Sequence, residues 1–190
     1  MLDLGKWHLA PGDLVIAPPE CPDPRFRKTV IMITEHGVQG TMGICLNRAT
    51  ERTVASIVEP TGITLGWDDA VYWGGPVQPH TVWILHDSGW TTEHSLTVDA
   101  DWGMTSNIDM FEKMALDQLP QRSRVFSGVV GWQPDQLRAE IQGLDPWRQE
   151  HSWLILNDPN PEWLLAIDSQ ELWGHCLQQC SLQTVSHWLE

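Results

Sequence analysis

Two acid–imidazole dipeptides, Glu35-His36 and His86-Asp87, are the residues of this sequence best suited to chemistry. A carboxylate beside a histidine fixes its tautomer and raises its basicity, so such pairs serve acid–base catalysis or hold a divalent cation. Each dipeptide ends an apolar, β-branched run, Val30 to Thr34 and Thr81 to Leu85, and so belongs where a sheet stops. If the two strands are neighbours running the same way, two imidazoles and two carboxyls converge. The expectation is that His36 and His86 share one small cleft. The competing account is that strand ends are polar in any case, with Glu35 and His36 capping a hairpin.

Four further patterns carry chemistry of lower specificity. Gly74-Gly75-Pro76 offers backbone amides that can approach and cradle an anion, but lacks the spacing and lysine of a phosphate-binding loop. A tight strand-end turn explains it equally well. Asn47, with Arg48 and Arg52, can hold a carboxylate or phosphate; alternatively Asn47 bonds its own turn. Gln136 and Glu140 lie four apart on one helical face, above a core stripe of Leu137 and Ile141. They face either a cleft or solvent. Cys176 and Cys180 are also four apart, with His175 and His187 near, but this is not a zinc spacing and core packing is the default.

The elements that position these groups alternate in type. Asp13 to Ala17, Thr29 to Thr34, Thr41 to Asn47, Ala70 to Trp73, Thr81 to Leu85, Ser95 to Val98, Arg124 to Val130 and Trp153 to Leu156 read as strands. Thr29 to Thr34 and Thr41 to Leu46 flank Glu35 to Gly40, a turn with two glycines, and are predicted to pair antiparallel. Helices are predicted over Arg52 to Glu59, from a capping box at Ser106 and Asp109 to Leu119, from Pro134 to Gly143, and after Asp168 through Leu172, Cys176 and Leu177. Local hairpins among interleaved helices argue for an α+β class: one domain over residues 1–190, with a large mixed, mostly antiparallel sheet and a few flanking helices.

Composition narrows the function classes. With 11 basic and 25 acidic residues the net charge is −14, a field that repels phosphate backbones and anionic lipid. Arg25-Phe-Arg-Lys28 is the only dense basic stretch, so direct binding to nucleic acid is not expected. No apolar run approaches the ~18–20 residues of a membrane span. The start has neither a cationic nor an apolar segment of a signal peptide, and four cysteines read as reduced thiols, so a cytoplasmic setting is expected. Twelve tryptophans are too many for one site and are assigned mainly to core and half-buried surface. No nucleophile elbow, zincin helix, dinucleotide fingerprint or helix-turn-helix is present.

Three blocks resemble one family in order and spacing. The first is Phe26 to Asn47, with its apolar strand, Glu-His, Gly-containing turn, Met-Gly and second strand. The second is Tyr72-Trp-Gly-Gly-Pro-Val77 followed by Trp83 to His86. The third is Gly128 to Ile141 followed by Trp147 and Trp153. Together they are similar to the AlgH/YqgE family (DUF179, UPF0301), over about Leu14 to Trp173. The resemblance implies a cytoplasmic α+β protein with a large mixed sheet. It supplies no reaction; one member's name links the family to regulation of alginate synthesis, and a transcriptional-regulator label follows from there.

Two functional readings result. One is a regulatory protein acting through a protein partner. The other is an enzyme, or a binder of a small ligand or metal, with its site near Glu35, His36, His86 and Gly74-Gly75, and with Asn47 as a further contact. Neither requires a cofactor, and no residue set is assigned to a resident metal.

Overall fold

The computed structural model describes residues 8–116, 118–145 and 153–189. Its strands are β1 (Leu14–Ile16), β2 (Val30–Gly37), β3 (Gly40–Cys45), β4 (Ala49–Thr53), β5 (Ala70–Trp73), β6 (Val77–Asp87), β7 (Leu96–Thr97), β8 (Trp102–Thr105), β9 (Ser123–Trp132) and β10 (Leu154–Leu156). The helices are α1 (Val54–Val58), α2 (Asp109–Ala115), α3 (Gln136–Gln142), α4 (Pro161–Leu164) and α5 (Leu172–Leu189). The main path of the sheet runs β10-β1-β2-β3-β9-β6-β8-β7, with β4 and β5 branching from β9. Every ladder is antiparallel except β5 on β9, so the sheet is mixed and mostly antiparallel, as expected, and it curls into a half-barrel.

The apolar run of β2 reads continuously rather than alternately because both faces of the strand are covered. Val30 and Met32 point into a core with Leu14, Ile16, Ile44 and Phe126, which α5 closes with Leu172 and Cys176. Ile31 and Ile33 point the other way, to Val15, Cys45, Val130, Trp132 and Leu137 of α3. A third cluster lies where α1 and α2 cover β5, β6 and β9, with Val54, Val71, Ile84, Phe111 and Val125.

The predicted hairpin forms, with Ile31 opposite Cys45 and Met32 opposite Ile44. Its turn is tighter than expected. The strand continues through Glu35, His36 and Gly37, leaving only Val38 and Gln39 as the turn, while Gly40 takes a φ of +128°. A register shift after Ile33 keeps Glu35 and His36 paired with Met42 and Thr41.

Other boundaries differ for identifiable reasons. The expected helix Arg52 to Glu59 splits: Ala49–Thr53 joins β5 as a strand, and the helix starts only where Thr53 accepts the Ser56 N–H. Pro60 does not end it sharply but sits in a 3₁₀ turn, Glu59–Thr61, as a fixed-φ residue can. The capping box at Ser106 and Asp109 does not form. Ile108 is the cap of α2, and that helix stops at Ala115 rather than Leu119. Strand β8 and helix α4 were not expected, although Asn160 and Pro161 are the cap and first-turn residues of a helix start, whereas α3 closes on a left-handed Gly143 as expected.

Candidate functional site

Strand β9 measures the separation of the candidate residues. His36 is paired with Thr41, and Thr41 with Trp132 at the far end of β9. His86 is paired with Ser123 at its near end. Nine residues separate those levels, roughly 30 Å at about 3.3 Å per residue. The two imidazoles therefore lie at opposite ends of the sheet, and the shared cleft does not exist. The strands end in similar dipeptides, but β3 and β9 stand between them.

At the His36 end, the ring is exposed on β2, and its Nδ1 lies 2.7 Å from Thr41 Oγ1. It borders a cleft of about 560 Å³ with His8, Leu9, Val38, Leu137 and Arg138. Arg138 also lies 3.8 Å from Asp135. Glu35, on the adjacent position of the strand, is exposed but does not line this cleft.

Gly74 and Gly75 lie midway along β9 and are fully enclosed. A Cβ on Gly74 would meet the Gly128 carbonyl at 2.1 Å, and one on Gly75 the Val129 backbone at 2.2 Å. The Gly74 N–H donates to Ser127, and its carbonyl accepts from Cys45. These glycines let β5 and β9 backbones touch where β3 diverges from β9. The Gly74 amide is committed to the Ser127 carbonyl rather than turned toward an anion.

Asn47 also has a structural occupation. Its Oδ1 accepts the Val30 N–H at 2.9 Å, and its Nδ2 donates to the Lys28 carbonyl at 2.8 Å. Arg48 donates to the Arg27 carbonyl at 2.6 Å, so the pair fastens the loop ahead of β2. Arg52 stands exposed on β4. Glu140 is neither solvated nor in an open cleft: it is 4% exposed and accepts the indole N–H groups of Trp132 and Trp153. Cys176 is core, and burial pushes its thiol up to about 12. Trp147 and the side chain of His187 lie outside the described residues. Among the described residues, no group of three His, Cys, Asp or Glu side chains is placed to hold a metal.

At the other end, His86 is completely buried. Its Nδ1 bonds the Asp87 backbone carbonyl at 2.9 Å, so a carbonyl, not a carboxylate, orients the ring. The Asp87 carboxylate instead accepts the Arg122 N–H at 3.0 Å. His86 Nε2 lies 3.4 Å from Ser95 Oγ. Burial holds the imidazole below its ordinary value, more than its hydrogen bond to Asp87 raises it. A cleft of about 250 Å³ opens here, lined by His86, Ser95, Thr97 and Trp102. Ser95 and Arg138 were absent from the sequence candidates: Ser95 sits in no motif, Arg138 was one unremarked residue of the Gly128 to Ile141 block, and both reach their clefts by tertiary placement.

The family model for AlgH-like proteins, DUF179, matches residues 14–185. The chain belongs to the AlgH-like family. A UPF0301 protein of Cereibacter sphaeroides is 32% identical over 157 residues, covering 79% of this chain and 85% of that protein. One from Ruegeria pomeroyi is 31% identical over 172 residues, covering 88% and 89%. Among solved structures, the AlgH protein of Pseudomonas aeruginosa superposes with a TM-score of 0.73 at 26% identity, covering 91% of this chain and 92% of that one. A Corynebacterium diphtheriae protein, at 21% identity and TM-score 0.71, shares the fold. The AlgH-like assignment agrees with the α+β architecture. No helix among the described residues is long and apolar enough to cross a membrane.

Proposed function

We propose that this AlgH-like chain is a cytoplasmic regulatory protein that engages a protein partner at the hairpin end of its sheet. The observation that carries the reading is the position of Val38. It is 89% exposed at the tip of the β2–β3 hairpin, at the mouth of the cleft lined by His36 and Arg138. A protruding apolar residue beside a concave site with an arginine is the kind of arrangement that anchors protein interfaces. Leu9 and Leu137 suit an aliphatic side chain of the partner, and His8, His36 and Arg138 an acidic one. The net charge of −14 supports a partner other than duplex DNA, and free thiols at Cys45, Cys176 and Cys180 support the cytoplasmic setting.

The test is a photocrosslinking residue at position 38 in the living cell, read by mass spectrometry, with native mass analysis of the purified complex. A discrete protein adduct that Arg138→Glu abolishes is expected. Crosslinking only to small molecules would overturn the reading in favour of a small carboxylate ligand, which the same imidazole and guanidinium groups suit. A sequence-dependent submicromolar shift of duplex DNA at ~150 mM salt would overturn it in favour of direct transcriptional control.

A further inference from the structure

The His86 end of the sheet holds a nucleophile and a base in contact. The Asp87 carbonyl can only accept a hydrogen bond, so the His86 proton sits on Nδ1 and the Nε2 lone pair is free. That lone pair faces Ser95 Oγ at 3.4 Å. Ser95 Oγ accepts the Thr92 N–H at 2.8 Å, and its own hydroxyl proton can be directed to Nε2. The ring has a prepared place. Trp90 packs edge-on at 4.8 Å between centroids, and a Cβ at Gly103 would come within 2.5 Å of His86 Cε1. The base is buried, while the serine is half-buried at the wall of the 250 Å³ cleft. Nucleophile, base and orienting acceptor thus stand in the order that nucleophilic catalysis requires. Burial also keeps the imidazole neutral near pH 7, as a base must be.

We propose that Ser95 and His86 form an acyl-transfer site for small uncharged carboxylic esters. The small cleft, with Leu96 and Trp102 among its walls and no Lys, Arg, Asp or Glu in its lining, suits a short uncharged acyl group. Ser95 Oγ attacks the ester carbonyl carbon and passes its proton to His86 Nε2. The tetrahedral adduct collapses as the carbon–oxygen bond to the alcohol breaks, and the imidazolium returns that proton to the leaving alkoxide. Water then attacks the acyl-serine, giving its proton to Nε2. Ser95 leaves as the acyl bond breaks and recovers the proton, and the acid is released. Thr92 Oγ1, 3.3 Å from Ser95 Oγ and 3.4 Å from Thr105 Oγ1, supplies a hydroxyl donor beside the reacting carbon. The site is independent of the partner surface, which lies at the opposite end of β9.

The experiment treats the full chain with diisopropyl fluorophosphate, which phosphorylates an activated serine with loss of fluoride, and follows p-nitrophenyl acetate hydrolysis in parallel. One label per chain, mapped to Ser95 and absent after prior unfolding, is expected. Ser95→Ala, which removes one half-buried hydroxyl and is checked by circular dichroism, abolishes both label and hydrolysis. His86→Gln slows both by about 10²–10⁴-fold. Because His86 is fully buried and its replacement can unfold the chain, the Ser95 result decides. A folded native protein that takes no label, or takes it elsewhere, overturns the proposal, as does hydrolysis that persists in folded Ser95→Ala.

Discussion

The Glu140 carboxyl accepts the Trp153 indole N–H at 2.7 Å. The same oxygen, Oε2, accepts from Trp132 at 3.1 Å, and Oε1 accepts from Gln136 Nε2 at 2.8 Å, so one buried carboxyl joins α3 to β9 and to the start of β10. Glu140→Leu strands two buried donors and costs about 2–4 kcal/mol in denaturant unfolding. Glu140→Gln keeps an acceptor and costs about 1 kcal/mol. The Trp132–Trp153 pair, 6.1 Å apart, makes fluorescence a direct readout. Equal losses for the two variants would remove the hydrogen bonds as the cause.

The crossing at Gly74 and Gly128 is a backbone contact with no room for a methyl group. Gly128 has a φ of +75°, and its own Cβ would meet the Gly75 carbonyl at 2.3 Å. Gly74→Ala is expected to lower unfolding stability by about 2–4 kcal/mol. Gly66→Ala, with nothing within 4 Å, serves as the neutral comparison.

Stability should fall on mild acidification, with His86 as a named contributor. Its folded pKa is depressed by burial, so between the ordinary imidazole value of 6.5 and that lower value the unfolded chain binds more protons. The contribution is fully present above 6.5 and is lost as pH decreases through this window. The Asp87 carboxylate opposes the depression and Lys113 adds to it. Thermal midpoints from pH 7.5 to 5 should decline less steeply in folded His86→Gln. An unchanged slope would assign the decline to other groups.

The thiols should be slow to react in the native state. Burial pushes Cys45 up to about 12 and Cys180 to about 11, and also raises Cys21. Since the thiolate is the reactive form, a disulfide reagent at pH 8 should titrate less than one equivalent rapidly, and all four after unfolding. Rapid native labelling at Cys45 would mean that the β3 end opens.

Much of the fold was legible because its signals are local. Ala70–Trp73 was bounded correctly by composition alone, and the hairpin by two β-branched runs around glycines. Ala49–Thr53 was not: Ala-Thr-Glu-Arg-Thr has no buried residue to announce a strand, and only β5 makes it one. Glu140 shared a face with Gln136 and read equally as solvent or cleft. Trp153, arriving from outside α3, buried it.

The order and type of the residues by themselves determined the AlgH-like membership, the α+β class, the paired strands β2 and β3, and the presence of a histidine at the end of two apolar runs. All of these depend on neighbours within a few positions. Which strands stand side by side was decided only in three dimensions. The placement of β9 between β3 and β6 is made by hydrogen bonds among residues about 40 to 90 positions apart. It separated His36 from His86 and turned Gly74-Gly75 into a backbone crossing, while the β6–β8–β7 ladders brought Ser95 to the imidazole of His86. A one-dimensional pattern carries no term for such pairing, because the free energy that selects it comes from ladders and burial formed only when the sheet closes.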